Sequence, residues 1–308
     1  MSTKRIVVVG ATGALGSKIV KALLDRGAEV TAMVRATSNR SRLQQMGVKN
    51  FVVGDMMDKS SLKEALSPNH GFDAIVASAA GYTRHSKGDS TKTDTIGYQN
   101  LVDATKTAGI PRFVLISILE SDKAKNVPHF YNKYMTEKYL AEKQQPFIVL
   151  RPGAFFDWSK DFLLKKIKKG VVPVFFVDVD YGTIYTPDLA RYAAMAATTL
   201  PESELNTAID VGWSEPVNGE KLAAAFERVL KKPIEAKPVV PSFVVKVIAP
   251  IIAALSSNMR DMLEMVKWVN TGVYVSKNTE RQKQLFGDLP TIEEAVRRYC
   301  KDNDLIPK

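Results

Sequence analysis

The apolar run Ile6-Val7-Val8-Val9 passes directly into Gly10-Ala11-Thr12-Gly13-Ala14-Leu15-Gly16. No other stretch of the chain constrains the fold as much. Four β-branched residues in a row read as a strand buried on both faces. Glycines at 10, 13 and 16, followed by the helical pattern Leu15–Asp25, mark a tight turn into a helix. Gly10 permits the turn, Gly13 lets the backbone approach a pyrophosphate, and Gly16 lets the helix pack against the strand. The helix start then offers amide groups and a positive dipole end to phosphate oxygens. Gly10, Thr12, Gly13, Ala14, Leu15 and Gly16 are therefore the candidate pyrophosphate residues of a dinucleotide site.

The same alternation continues. Strands are expected at Val30–Val34, Asn50–Val53, Ala74–Ala77, Phe113–Ser117 and Phe147–Leu150. Helices are expected at Ser38–Met46, Ser60–Leu66, Thr93–Thr107 and about His129–Lys143. Continuous apolar strands between helices predict an α/β chain, a Rossmann-type doubly wound parallel sheet. Beyond Arg151 the regularity changes. A strand-like run at Val171–Val177 contains Pro173, a helix is expected at Pro187–Thr199, a strand at Thr207–Val211 and a helix at Asn218–Leu230. Thr291-Ile292-Glu293-Glu294 is a capping box that opens a terminal helix. The expected division is a binding domain over 1–155 and a smaller C-terminal substrate domain over 156–308, with about 183–212 returning to the sheet.

Charge narrows the partners. Lys plus Arg number 43 against 33 for Asp plus Glu, a net charge of +10. These basic residues are dispersed, and the one dense run, Lys165-Lys166-Ile167-Lys168-Lys169, lies among apolar positions of an expected helix, so nucleic acid is not an expected partner. Cys300 is alone, which excludes an internal disulfide and fits a reducing compartment. His70, His85 and His129 lie in unrelated segments and make no metal-ligand set. No secretory-type apolar segment precedes Ile6, so a chain that starts at Met1 is expected in the cytoplasm.

Arg35 ends the second strand, where an NAD-preferring site places an acid. A guanidinium suits a 2′-phosphate through charge and bidentate geometry, so NADP(H) is the expected cofactor. Arg40 and Arg42 either assist it or are solvated helix residues. Asp55 after the third strand either accepts from the adenine amino group or caps the next turn. Ser78 and Ala79, small residues after the fourth strand, let a cofactor lie close or reflect tight packing.

At this point the chain resembles the short-chain dehydrogenase/reductase superfamily, above all its atypical NmrA-like and isoflavone-reductase-like members. The matching pieces are Gly10–Gly16, Arg35, Gly54-Asp55, Phe113–Ser117, Lys133 with Glu137 and Leu140, and Arg151-Pro152-Gly153-Ala154-Phe155-Phe156. Tyr185-Thr186-Pro187-Asp188-Leu189-Ala190 and Phe286-Gly287 with Pro290-Thr291 add to it. The resemblance implies a Rossmann domain carrying a smaller C-terminal substrate domain. It also implies a Ser, a proton-carrying Tyr, and a Lys four residues later that holds the nicotinamide ribose.

Two registers compete for that lysine. Tyr134 and Lys138 have the literal spacing, whereas Lys133, Glu137 and Leu140 fit the family's helix. At about 100° per residue, Lys133 shares a face with Phe130, Leu140 and Ala141, while Lys138 falls opposite with Glu142 and Tyr131. Lys133 is therefore the expected site lysine. The position four earlier is His129, whose imidazole can relay a proton near neutral pH or serve only as a helix-start residue. Ser117 stands close to the family's Ser position, but Ile118 and Leu119 replace its usual polar neighbours, and the trio is incomplete.

Phe155, Phe156, Trp158 and Phe162 follow the sixth strand, where the resembling fold forms its pocket wall; they line a pocket for an apolar or aromatic substrate or belong to the core. Phe243–Leu255 is about 13 residues long, short of a bilayer span. With the basic helix Trp158–Lys169 it suggests a peripheral membrane contact or a lipophilic substrate, while a dimer contact or a pocket lid explains the apolar run equally well. A homo-oligomer is compatible with this sequence. The expected activity is an NADPH-dependent reductase that passes hydride to a carbonyl, quinone or conjugated double bond, with His129, Tyr134 or water delivering the proton. The rivals are a non-catalytic NADP(H) sensor and a membrane-associated assembly subunit.

Overall fold

In the computed structural model, residues 3–81, 92–158, 160–174, 176–239 and 256–307 are described. Phe243–Leu255 and His85 lie outside them. The chain divides into two compact units, one of residues 1–151 and 186–209, the other of 152–185 and 210–308.

The first unit is built on β1 (Arg5–Val9), β2 (Glu29–Val34), β3 (Asn50–Val53), β4 (Ala74–Ala77), β5 (Phe113–Ile116) and β6 (Phe147–Pro152). These six strands pair in parallel, and β10 (Thr207–Val211) completes a seven-stranded sheet in the order β10-β6-β5-β4-β1-β2-β3. The order reverses between β1 and β4, which leaves a crevice at their carboxyl ends, the place where open α/β sheets bind ligands. Helices α1 (Ala14–Asp25), α2 (Ser41–Gln45), α3 (Lys59–Ala65), α4 (Tyr98–Thr107), α5 (Pro128–Glu142) and α7 (Thr186–Thr198) belong to the same unit. Burial of Val7, Ile75, Phe113, Val149, Leu101 and Leu140 in one cluster explains why the strands read as unbroken apolar runs.

Three expectations about elements are corrected. The helix expected from Thr93 begins as a π-helical turn, Lys92–Gly97, and becomes α-helical only at Tyr98. The helix expected from Ser38 begins at Ser41, because the backbone of 35–38 closes a turn: Ser38 N donates to Arg35 O, and the Ser38 hydroxyl accepts from Arg35 N. On α5, Lys133, Glu137 and Leu140 are buried and Lys138 is exposed, but Ala141, expected on the inner face, is exposed in the last turn.

In the second unit, β8 (Val171–Val174) pairs in parallel with β11 (Glu235–Pro238). The strand stops three residues before the expected Val177, whose carbonyl instead accepts from Gly219 at the start of α8 (Gly219–Leu230). Pro173 is tolerated because this sheet has two strands only, and each is an edge. Short β7 (Ala154–Phe155) and β9 (Thr183–Ile184) pair with each other, and α6 (Lys160–Lys168) precedes β8. Among the described residues no helix is long and apolar enough to cross a membrane.

Candidate functional site

Gly10 sits at φ +80°, and a Cβ there would meet Ala79 N at 2.9 Å. The glycine loop after β1 thus lies directly against the Ser78-Ala79 turn after β4, across the crevice. Gly16 is needed for a different contact from the expected one: a Cβ would meet the Gly10 carbonyl oxygen at 2.0 Å, so it admits the loop rather than the strand. Gly13 caps α1 without a side chain, at an ordinary φ of −71°. Thr12, Gly13 and Ala14 are exposed and Leu15 is half-buried. A cradle of this shape, closed to side chains and ending on an uncapped helix start, fits a pyrophosphate.

Arg35 is exposed at the end of β2. Arg40 lies over the Phe51 ring at 5.5 Å. Asp55 Oδ1 accepts from Met57 N at 2.9 Å, a local turn cap. Ser78 Oγ donates to Val9 O at 3.1 Å and ties the ends of β1 and β4 together.

Lys133 projects from α5 into the protein. Its Nζ lies 3.0 Å from Asp94 Oδ1, donates to Ala79 O at 2.9 Å, and stands 4.0 Å from the centre of the Tyr98 ring. Tyr98 Oη donates to the same Ala79 carbonyl at 2.6 Å, and Asp94 Oδ2 accepts from Gly81 N at 3.0 Å. Lysine, aspartate and tyrosine are all buried. Burial pulls the ammonium down, but Tyr98 and Asp94 outweigh it and hold Lys133 above the ordinary lysine value. Burial also pushes the Tyr98 phenol up, with Lys133 opposing.

His129 lies one turn before Lys133 and is buried edge-on against Phe130. Burial lowers its pKa to about 4, against a weaker pull from Asp94 in the other direction. At neutral pH the imidazole is therefore uncharged. Ser117, just after β5, gives its hydroxyl hydrogen to Glu137, which Arg151 grips through Nε at 3.1 Å to both oxygens and through Nη2. The structure thus brings Lys133 and His129 onto one face of α5. Ser117 joins a separate buried Ser117–Glu137–Arg151 network.

The sequence reading missed Asp94 and Tyr98. Their signal was present: positions 94, 98, 101 and 105 recur at helical spacing through Asp, Tyr, Leu and Thr, and an acid on that apolar face called for a buried partner.

In the second unit, Phe155, Phe156, Trp158, Leu163 and Tyr181 line a cavity of about 110 Å³. That is smaller than the roughly 150 Å³ of an apolar cavity able to hold benzene. Phe156 is also core, with its ring 5.1 Å from those of Trp213 and Tyr299.

The chain is 29% identical over 225 residues to the photosystem II assembly factor Ycf39 of Guillardia theta, covering 73% of this chain and 69% of that protein. It is 33% identical over 151 residues to Ycf39 of Cyanophora paradoxa, covering 49% and 46%, so it spans about half the length of that relative. Among solved structures, the Citrobacter sp. triphenylmethane reductase complexed with NADP(H) aligns with TM-score 0.76 at 20% identity, over 96% of this chain and 99% of that one. The NADPH-dependent quinone oxidoreductase QOR2 of Escherichia coli complexed with NADPH aligns with TM-score 0.73 at 19% identity, over 95% and 99%. These structural likenesses establish a shared fold. The model of the NmrA-like family matches residues 2–296, nearly the whole of a chain whose glycine loop stands at the switch point of a doubly wound sheet, and the chain belongs to that family.

Proposed function

We propose that this NmrA-like protein binds NADP(H) in the β1–β4 crevice and reduces an apolar acceptor. The observation that carries the reading is the cradle of Gly10, Gly13 and Gly16, pressed against Ala79 and open at the start of α1. Thr12, Gly13, Ala14 and Leu15 would hold the pyrophosphate, and exposed Arg35 the 2′-phosphate. Asp55, Ser78 and Ala79 would border the adenine and nicotinamide sides. The two solved relatives above, whose structures hold NADP(H) or NADPH, support this cofactor.

NADPH when bound supplies a hydride. Lys133 supplies a fixed positive charge beside Ala79, and its ion pair with Asp94 keeps that charge in place. His129, uncharged at neutral pH, is a poor acid, and the Ser117 hydroxyl is committed to Glu137. A quinone or cationic conjugated acceptor suits these residues better than a simple ketone. Its reduced product either needs no proton at once or takes one from water, whereas a ketone needs an acid in the transition state.

A second reading has its own support. The ammonium of Lys133 is surrounded by Asp94, Ala79 and Tyr98, and the relatives from Guillardia and Cyanophora are named assembly factors. In that reading NADP(H) occupancy alters a partner surface without turnover.

Titration with NADPH and NADH, followed by NADPH oxidation against a panel of quinones, cationic dyes and ketones, tests both. The reductase reading expects tight NADPH binding and turnover with quinones or dyes. Tight binding with no turnover moves the protein to the second reading, and no NADPH binding removes both.

A further inference from the structure

Six lysines gather at one corner of the second unit. Lys165, Lys166 and Lys168 lie in the last turns of α6, and Lys169 follows them. Lys231 and Lys232 follow the end of α8. Lys232 Nζ reaches the carbonyl oxygens of Ile167 and Lys168 at 3.3 and 3.4 Å, which brings the two helix ends together. A cation at a helix C-terminus satisfies terminal carbonyls and offsets the dipole, and Lys232 does so for α6.

That accounts for one lysine. The other five are exposed. None of the six takes part in an ion pair among the described residues. Lys165 and Lys169 are four apart, and Lys165–Lys168 and Lys166–Lys169 are three apart, spacings at which like charges destabilise a helix. Asp161, four residues before Lys165 and exposed like it, offsets one of these charges, and Glu235 is held by Lys237 at 3.0 Å, so the other lysines keep their repulsion. An outside anion would relieve this repulsion.

The same helix carries an aromatic residue, Phe162, beside the charges. Leu163 and Ile167 are buried and fix the inner face. At about 100° per residue, Phe162 falls among the lysines on the outer side. It is half-buried, with Lys166 Nζ 5.7 Å from its ring centre and the Trp158 ring 6.1 Å away. A cluster of four to eight lysines on an amphipathic helix is what anionic lipid headgroups attract. The cations are all lysines, compact point charges that do not require the paired geometry by which arginine reads individual phosphates. This favours a diffuse anionic surface over a nucleic-acid groove.

We propose that the α6 face, with Lys165, Lys166, Lys168, Lys169 and Lys231 around Phe162, docks this protein on an anionic lipid surface. The proposal is independent of cofactor binding and turnover.

Co-sedimentation of the full chain with phosphatidylcholine vesicles, with and without phosphatidylglycerol, tests it. The expected result is binding to the anionic vesicles only, falling steeply with salt. The Lys165→Gln/Lys166→Gln/Lys168→Gln/Lys169→Gln variant should lose at least about tenfold in vesicle partition. A thermal melt followed by circular dichroism checks its fold. Should it fail to fold, Lys169→Gln/Lys231→Gln should still lower partition by about fivefold or more. Equal binding to neutral vesicles, no vesicle binding, or undiminished binding by folded variants would overturn the proposal. So would tighter binding of the wild type to duplex DNA or polyglutamate than to the vesicles.

Discussion

The Lys133 ammonium and the Asp94 carboxylate meet at 3.0 Å with both side chains almost wholly removed from water. They come from α5 and from the π-helical turn before α4, so the pair fastens two elements together beside the crevice. A pair in this setting balances a large desolvation cost against mutual attraction, and either partner left alone is a buried uncompensated charge.

Removing one partner should therefore cost more than removing both. Lys133→Met and Asp94→Asn should each destabilise by about 3–5 kcal/mol, with the double variant closer to wild type. Urea denaturation of the three variants checks this. Lys138→Ala, on the exposed side of the same helix, should stay within about ±0.5 kcal/mol and near the wild-type rate, whereas Lys133→Met should lose most turnover with any accepted quinone.

Cofactor preference should follow Arg35. NADPH should bind more tightly than NADH, and Arg35→Glu should weaken NADPH binding by roughly 1.5–3 kcal/mol, about one to two decades in affinity. Calorimetric titration with both cofactors reads the gap directly. Equal affinities in the wild type would dismiss the NADP assignment.

The glycines should separate fold from binding. Gly13 has an ordinary φ, and a Cβ there would meet only the Gly10 carbonyl oxygen, at 3.2 Å. Gly13→Val should leave a folded protein that no longer binds NADPH. A Cβ on Gly16 would meet that oxygen at 2.0 Å, so Gly16→Ala should show a lowered melting temperature before any effect on binding is measured. Retained NADPH affinity in Gly13→Val would contradict the cradle.

Acid should act through His129. Its folded pKa of about 4 lies below an unfolded value near 6.5, so the unfolded chain binds more protons between those limits. The stability that comes from keeping this imidazole neutral is complete above about pH 6.5 and is lost as pH falls towards 4. The loss is about 2 kcal/mol at pH 5. His129→Phe should flatten that part of the stability profile. An unchanged slope between pH 7 and 5 would show that the imidazole titrates normally.

Local patterns were enough for the sheet. The β-branched run Ile6–Val9 is buried along its whole length in β1, and the glycine spacing after Val9 leaves little choice but a strand, a tight turn and a helix. Helical periodicity also placed Lys133 inward and Lys138 outward on α5. Where the signal was weaker, the boundaries moved. Ser38 went to a side-chain-stabilised turn, and Glu235–Pro238 became a strand although nothing in Glu-Ala-Lys-Pro favours one.

The Rossmann-type order of elements, the glycine loop after β1 and the inward lysine were legible in the chain, because each depends on residues close together in it. What surrounds that lysine comes from segments far from it in the chain. Tyr98, Asp94 and Ala79 reach Lys133 from α4, from the turn before it and from just beyond the end of β4, and Ser117 is drawn to Glu137 and Arg151. Such pairings join positions far apart in sequence, and their strength comes from exclusion of water, which no local spacing encodes.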